Sequence, residues 1–234
     1  MNEEFAELAE EQKIESVDRD KKEKRRYLIY TETEEPVLSV HEDIMIRYRL
    51  MKGRTITPSE IVHIRNEDER YRAYVLAIAY LGAKPRTRKA IGQYLTRKEF
   101  QQENIEYALN RLESEQLVDD EQYARQFAGS RLRSGLKGRL MIKQELQQRG
   151  ISKQAAAEAI SELDSDSELA AAKKLAEKKF RSVKGDRNQR RMKLTAFLMR
   201  RGFPGSVVRE ALKGLDWKEE NGHDEEEDGV LLDN

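Results

Sequence analysis

The side chains with the clearest chemical potential are cationic, and they fall into three groups. These are Arg86, Arg88 and Lys89; then Arg131, Arg133, Lys137, Arg139 and Lys143; then Arg181, Lys184, Arg187, Arg190, Arg191 and Lys193. Guanidinium and ammonium groups gathered in this way attract phosphates and carboxylates, and arginine adds a fork of donors that fits both. One such group by itself reads as a solvated helix face. Three at a spacing of about fifty residues read differently. Each lies near the turn between the first and second helix of a repeating unit, so units stacked alike would line up a basic stripe suited to a polyanionic or nucleoprotein surface.

The remaining chemistry-bearing residues point away from catalysis. Asp119 and Asp120 are adjacent carboxylates just before an apolar-periodic helix, which fits a helix cap better than an acid–base pair or a metal site. The three histidines, His41, His63 and His223, have no metal-ligand spacing, and there is no cysteine to join them. Gly138, Gly150 and Gly202 read as turn and cap residues, and none belongs to a phosphate-cradling glycine loop. No nucleophile–base set is visible, so the chain reads as a non-enzyme without a cofactor.

These groups must be positioned by a repeat. Ile91, Leu95, Phe100, Ala108, Leu109 and Leu112 recur as Ile142, Leu146, Ile151, Ala159, Ile160 and Leu163, and again as Leu194, Leu198, Phe203, Ala211, Leu212 and Leu215. A period this long marks one supersecondary unit stacked in an array. Each unit reads as three helices, which predicts a mainly α protein: an elongated array of three-helix units over 66–118, 119–163 and 164–215. In the third unit the second helix is expected from Met192 to Arg201, after a longer connection over Lys184 to Gln189. Unit one has Glu99 where the others have glycine, so its second turn is expected to differ.

The N-terminal part is less regular. Residues 1–24 are charged and read as a mobile arm, and residues 25–65 as an extension. There Arg26–Tyr30 and Val37–Val40 could pair as a small hairpin, with Ile14–Val17 as a possible third strand. Ser39 with Glu42 fits a capping box opening a helix that runs to Leu50. Thr57-Pro58-Ser59-Glu60 fits another, and Asn66 is expected to cap a separate helix beyond it.

Composition sets the outer bounds. Charged and hydrophobic residues each make up 38% of the 234 positions, with 13 glycines and 4 prolines. That balance suits helices with much exposed surface. No apolar run approaches the ~18 residues of a membrane helix, and a chain without cysteine fits a reducing, cytoplasmic location. The net charge is zero, yet positions 84–215 hold about 29 Lys and Arg against about 17 Asp and Glu. Residues 216–234 hold about nine acids against Lys218 alone. This acidic end is expected to be a disordered solubilising tail, or, more sharply, a cover for the basic stripe. Trp217, the sole tryptophan, is expected to dock the last helix.

Leu117-Val118-Asp119-Asp120-Glu121-Gln122-Tyr123-Ala124, then Lys137-Gly138, then Glu145-Leu146-Gln147-Gln148-Arg149-Gly150-Ile151 together resemble the RecX family. The resemblance covers roughly residues 70–215, and residues 25–53 look like the N-terminal extension of its longer, Gram-positive-type members. It implies a bacterial regulator of the RecA recombinase that binds the groove of the RecA–DNA filament and restrains ATP hydrolysis, strand exchange and LexA cleavage, with DNA binding in some members. The expected partners are therefore the RecA filament and, weakly and without sequence preference, single- or double-stranded DNA. The chain itself is expected to be a monomer with no membrane contact. A stand-alone helix-turn-helix-like DNA-binding protein is the alternative.

Overall fold

The computed structural model describes residues 11–217. The chain divides into two compact units, residues 1–120 and 121–234.

In the first unit, β2 (Ser16–Arg19), β3 (Arg26–Tyr30) and β4 (Leu38–His41) form an antiparallel sheet in that order, after β1 (Gln12–Lys13), which pairs with β5 (Thr55–Ile56). Strand alternation sends Leu38 and Val40 inward and leaves Ser39 exposed, as a half-buried strand requires. Ile14, Ile29, Val40, Ile44, Leu50, Ile56 and Ile64 form the core beneath. Residues 11–24 are thus not a mobile arm: they hold two strands, and Ile14 is fully buried. Their charged composition belongs to the solvent faces of a ribbon anchored by Ile14 and, partly buried, by Val17. Residues 1–10 lie outside the described residues.

Two helix starts differ from expectation. Helix α1 (Glu42–Arg47) is capped by His41, whose Nδ1 accepts from the Asp43 amide at 3.2 Å, while Ser39 stays in β4 and Glu42 pairs with Arg25. The helix also stops at Arg47, short of the expected Leu50. Helix α2 (Pro58–Leu81) begins at the expected Thr57 capping box but runs unbroken through Asn66. Asp68, which an N-terminal first turn would have used, is buried and accepts from the His41 amide (2.7 Å) and from Arg26 Nη2 (2.8 Å). Tertiary partners took the carboxylate, so no cap formed there. The boundary expected at 65/66 falls inside this helix: Ile64 packs in the sheet core, and Ala73, Tyr74 and Ala77 pack in the next one.

That next core joins the second half of α2 to α3 (Arg88–Thr96) and α4 (Gln102–Ser114). In the second unit, α5 (Asp120–Arg133), α6 (Arg139–Gln148) and α7 (Lys153–Ser161) enclose one core. Helices α8 (Ser165–Phe180), α9 (Arg187–Arg200) and α10 (Gly205–Lys213) enclose another. All the recurring apolar positions lie in or against these three cores.

The turn after each middle helix is the same in all three bundles. Phe100, Ile151 and Phe203 donate their amides to Leu95, Leu146 and Leu198 at 3.3, 3.1 and 3.2 Å. The residue before each adopts a left-handed backbone: φ is 64° at Glu99, 92° at Gly150 and 84° at Gly202. Glu99 therefore does not alter the turn. It takes the glycine conformation and bears the Cβ crowding that this entails.

Helix α9 starts five residues before the expected Met192. Asp186 caps it by accepting from the Gln189 amide at 2.9 Å, so Arg187, Arg190 and Arg191 lie on a helix and not on a connecting loop.

Candidate basic binding surface

The structure sorts the three groups of cations by whether a carboxylate among the described residues is paired with them. In the first group, Arg88 reaches Glu106, Glu113 and Asn110, and its amide donates to Asp120 at 2.9 Å. Arg86 lies over the Tyr80 ring at 4.1 Å. Lys89 is exposed on α3. In the second group, Arg131 (3.3 Å) and Lys137 both pair with Glu145, and Arg131 also lies over Phe127. Arg139 donates its amide (2.8 Å) and Nε (2.5 Å) to the fully buried carboxylate of Glu168.

Arg88 and Arg139 occupy the same position in successive repeats, and both do the same work. Each opens a middle helix, and its amide is held by an acid near the start of the next first helix. This satisfies a helix N-terminal donor and places negative charge at the positive end of the helix dipole. At Asp120, burial pushes the carboxyl pKa up; the Arg88 amide opposes that shift and the nearby Glu113 reinforces it.

The third group has no such anchors. The same repeat position is Arg191, which is exposed. Among the described residues, no carboxylate lies within ion-pair distance of Arg181, Lys184, Arg187, Arg190, Arg191 or Lys193. Arg190 stacks on Phe180 at 4.0 Å, and Lys193 Nζ donates to the Lys184 carbonyl at 2.8 Å, which ties the loop back onto α9. Arg133 and Lys143 in the second group also lack a carboxylate partner among the described residues. The charge available to a ligand is therefore concentrated on the α8–α9 connection and the first half of α9.

Next to those cations the surface is apolar. Met192 and Met199 are 66% and 55% exposed, and with Asn188, Arg191, Thr195 and Ala196 they line a shallow depression along α9. The spacing of 192, 196 and 199 places them on one helical stripe. In the second unit, the equivalent of Met192 is Leu140, also exposed.

The remaining sequence candidates separate from this surface. Asp119 precedes α5 and is exposed, while Asp120 turns to Arg88. Gly150 sits just past the end of α6. Gly138, at φ −86°, has a conformation open to any residue, yet its amide donates to the Arg201 carbonyl at 2.8 Å, and Leu140 donates to Gly202 at 3.0 Å. A Cβ on Gly138 would come within 2.5 Å of the Gly202 carbonyl oxygen, and one on Gly202 would strike the Met141 backbone. These two glycines let the second and third bundles meet backbone to backbone.

His41 is a helix cap and His63 meets the Tyr48 hydroxyl at 3.1 Å. His223 lies outside the described residues, among which no cluster of potential metal ligands occurs. Trp217 packs edge-on against Phe180 at 5.3 Å and donates Nε1 to the Leu212 carbonyl, holding the end of the last bundle. Sequence reasoning missed Glu145 and Glu168 as anchors, and Met192 and Met199 as surface. Asp186 followed three residues on by Gln189 was a readable capping signal; the buried fate of Glu168 left none.

Three domain models of one family match the chain in order. The first, second and third three-helix domains of RecX match residues 73–112, 119–160 and 166–212. The chain belongs to the RecX family. It is 33% identical to the regulatory protein RecX of Oceanobacillus iheyensis, over 89% of this chain and 78% of that one. It is 34% identical to that of Streptococcus gordonii, over 88% and 79%. A crystal structure of regulatory protein RecX superposes with a TM-score of 0.75 at 31% identity, covering 86% of this chain and 99% of that one. The RecX from Lactobacillus salivarius superposes at 0.58 and 25% identity, covering 63% and 96%. The first RecX domain starts inside α2, where the helix leaves the sheet core, and the third contains the whole of α9. A regulatory role follows from this membership. No described helix is long and apolar enough to cross a membrane.

Proposed function

We propose that this protein is a negative regulator of RecA that occupies the groove of the RecA–DNA filament and restrains ATP hydrolysis, strand exchange and LexA cleavage. The observation that carries the reading is the set of six third-bundle cations without carboxylate partners among the described residues, in a chain of the RecX family. Phosphates and acidic protein surface are the ligands such a set attracts, and a groove with low-dielectric walls strengthens the attraction. Because Arg88, Arg131, Lys137 and Arg139 are committed to internal acids, the third bundle makes the principal contact and the others act as spacers. In this reading the chain works as a cytoplasmic monomer without a cofactor.

The test is RecA-dependent ATP hydrolysis on single-stranded DNA, with the wild-type chain and with an Arg187→Glu/Arg191→Glu/Lys193→Glu variant. All three side chains are exposed, so the variant should melt like the wild type. Wild type should inhibit at micromolar concentration or below, and the variant should need at least about tenfold more, a loss of roughly 1.4 kcal/mol. No inhibition by wild type refutes the RecA reading. Equal inhibition by both refutes the assignment to the third bundle.

The stand-alone DNA-binding reading draws on the same exposed arginines of α9. It would be favoured by tight binding to duplex DNA without RecA, with a salt slope falling by about 0.9 for each phosphate contact removed.

A further inference from the structure

We propose that the acidic segment after Trp217 docks in cis on the exposed stripe of α9, covering the third-bundle cations when no other ligand is present. The proposal concerns the chain alone and does not depend on the RecA reading.

Three observations meet here. The stripe is both cationic and apolar: Arg191 lines the same depression as Met192, Ala196 and Met199, and two half-exposed methionines on one face are an unusual feature for an unpartnered helix. The segment carries the complementary pattern in the same compact form. Asp224-Glu225-Glu226-Glu227-Asp228 is followed by Gly229-Val230-Leu231-Leu232 and then Asp233, an acidic run next to an aliphatic patch. Acids satisfy cations that have no carboxylate partner among the described residues, and Val230 to Leu232 fit against the methionines, whose flexible thioethers adapt to such contacts.

The third observation is where the segment begins. Trp217 rests on one side of Phe180, and Arg190 stacks on the same ring. The root of the segment is therefore one aromatic ring away from the first turns of α9. From Lys218 to Gly229 the extended chain reaches about 40 Å, and α9 is only about 21 Å long. Reach is no obstacle, and the closure cost grows slowly with length. A covalently attached occupant also acts at millimolar effective concentration, so weak complementary contacts suffice.

The chain has no native cysteine, which permits a direct test. Ala196→Cys/Leu231→Cys is compared with Ser206→Cys/Leu231→Cys, whose first site is exposed on α10. Each pair is equilibrated in buffers of oxidised and reduced glutathione to measure the effective concentration of one thiol at the other. The 196/231 pair should exceed the 206/231 pair by at least about tenfold. The excess should vanish in 0.5 M salt (about a 4 Å screening length) and when residues 224–228 are changed to Asn and Gln. Equal values for the two pairs in low salt overturn the proposal. A concentration-dependent disulfide-linked dimer in place of the intramolecular bond also overturns it, because a second copy is then the occupant. Matching melting curves for both pairs establish that the folded chain was tested.

Discussion

Gly138→Ala is the sharpest probe of how the second unit holds its two bundles together. The added methyl meets backbone atoms: the Gly202 carbonyl oxygen and the Phe203 nitrogen, each within 2.5 Å. No side-chain rotation relieves that contact, so the bundles must separate by the better part of an ångström. Overpacking of this kind costs about 1–3 kcal/mol. Separation also weakens two backbone hydrogen bonds, Gly138 to Arg201 and Leu140 to Gly202, at about 0.5–1.5 kcal/mol each. Helix propensity contributes little, because Gly138 is the cap and not the helix interior.

The expected total is a destabilisation of about 3 kcal/mol in urea-induced unfolding, read as a lower midpoint with an unchanged slope. Hydrogen exchange should lose protection first at the Gly138 and Leu140 amides. A variant within about 0.5 kcal/mol of wild type, with both amides still protected, would refute the claim that close backbone approach is why a glycine stands there. Gly202→Ala is a poorer probe, since φ 84° adds conformational strain to the clash.

Glu99→Gly should stabilise the first unit, because Glu99 occupies a left-handed turn position that costs an L-residue about 1–2 kcal/mol; part of this is returned as unfolded-state entropy, leaving a gain of about 0.5–1 kcal/mol in the unfolding midpoint. Asp120→Asn tests the buried acid. Burial raises its folded pKa above the ordinary aspartate value, so the folded state holds the proton more tightly and stability falls as pH rises through that window. The asparagine oxygen still accepts from Arg88, and its stability relative to wild type should therefore improve as pH rises from below the ordinary aspartate range through the raised folded value. A relative stability that declines over that range would refute the sign.

Much of the fold was legible because repetition exposes a core. Six apolar positions surviving two steps identified residues that became the interior of three bundles. Thr57-Pro58-Ser59-Glu60 and Ser152 announced their helices, since capping depends only on neighbours in sequence. Legibility failed where a polar residue had two possible partners. Asn66 to Glu69 looked like a helix start, yet Asp68 was claimed by Arg26 and His41 from a sheet far away in sequence. Glu99 looked incompatible with a glycine turn, yet the packing of Phe100 and Leu95 held it there.

The candidate site shows the same division. Sequence alone determined that cations recur near equivalent turns, because composition and spacing are written in one dimension. Only the tertiary structure decided which of them remain available. Arg88 and Arg139 recur at one repeat position but are spent on Glu113 and Glu168, whereas Arg191, at that same position, meets no carboxylate among the described residues. Charge is a property of the residue; whether it is already neutralised depends on partners 25 or 29 positions away, and folding alone brings those together.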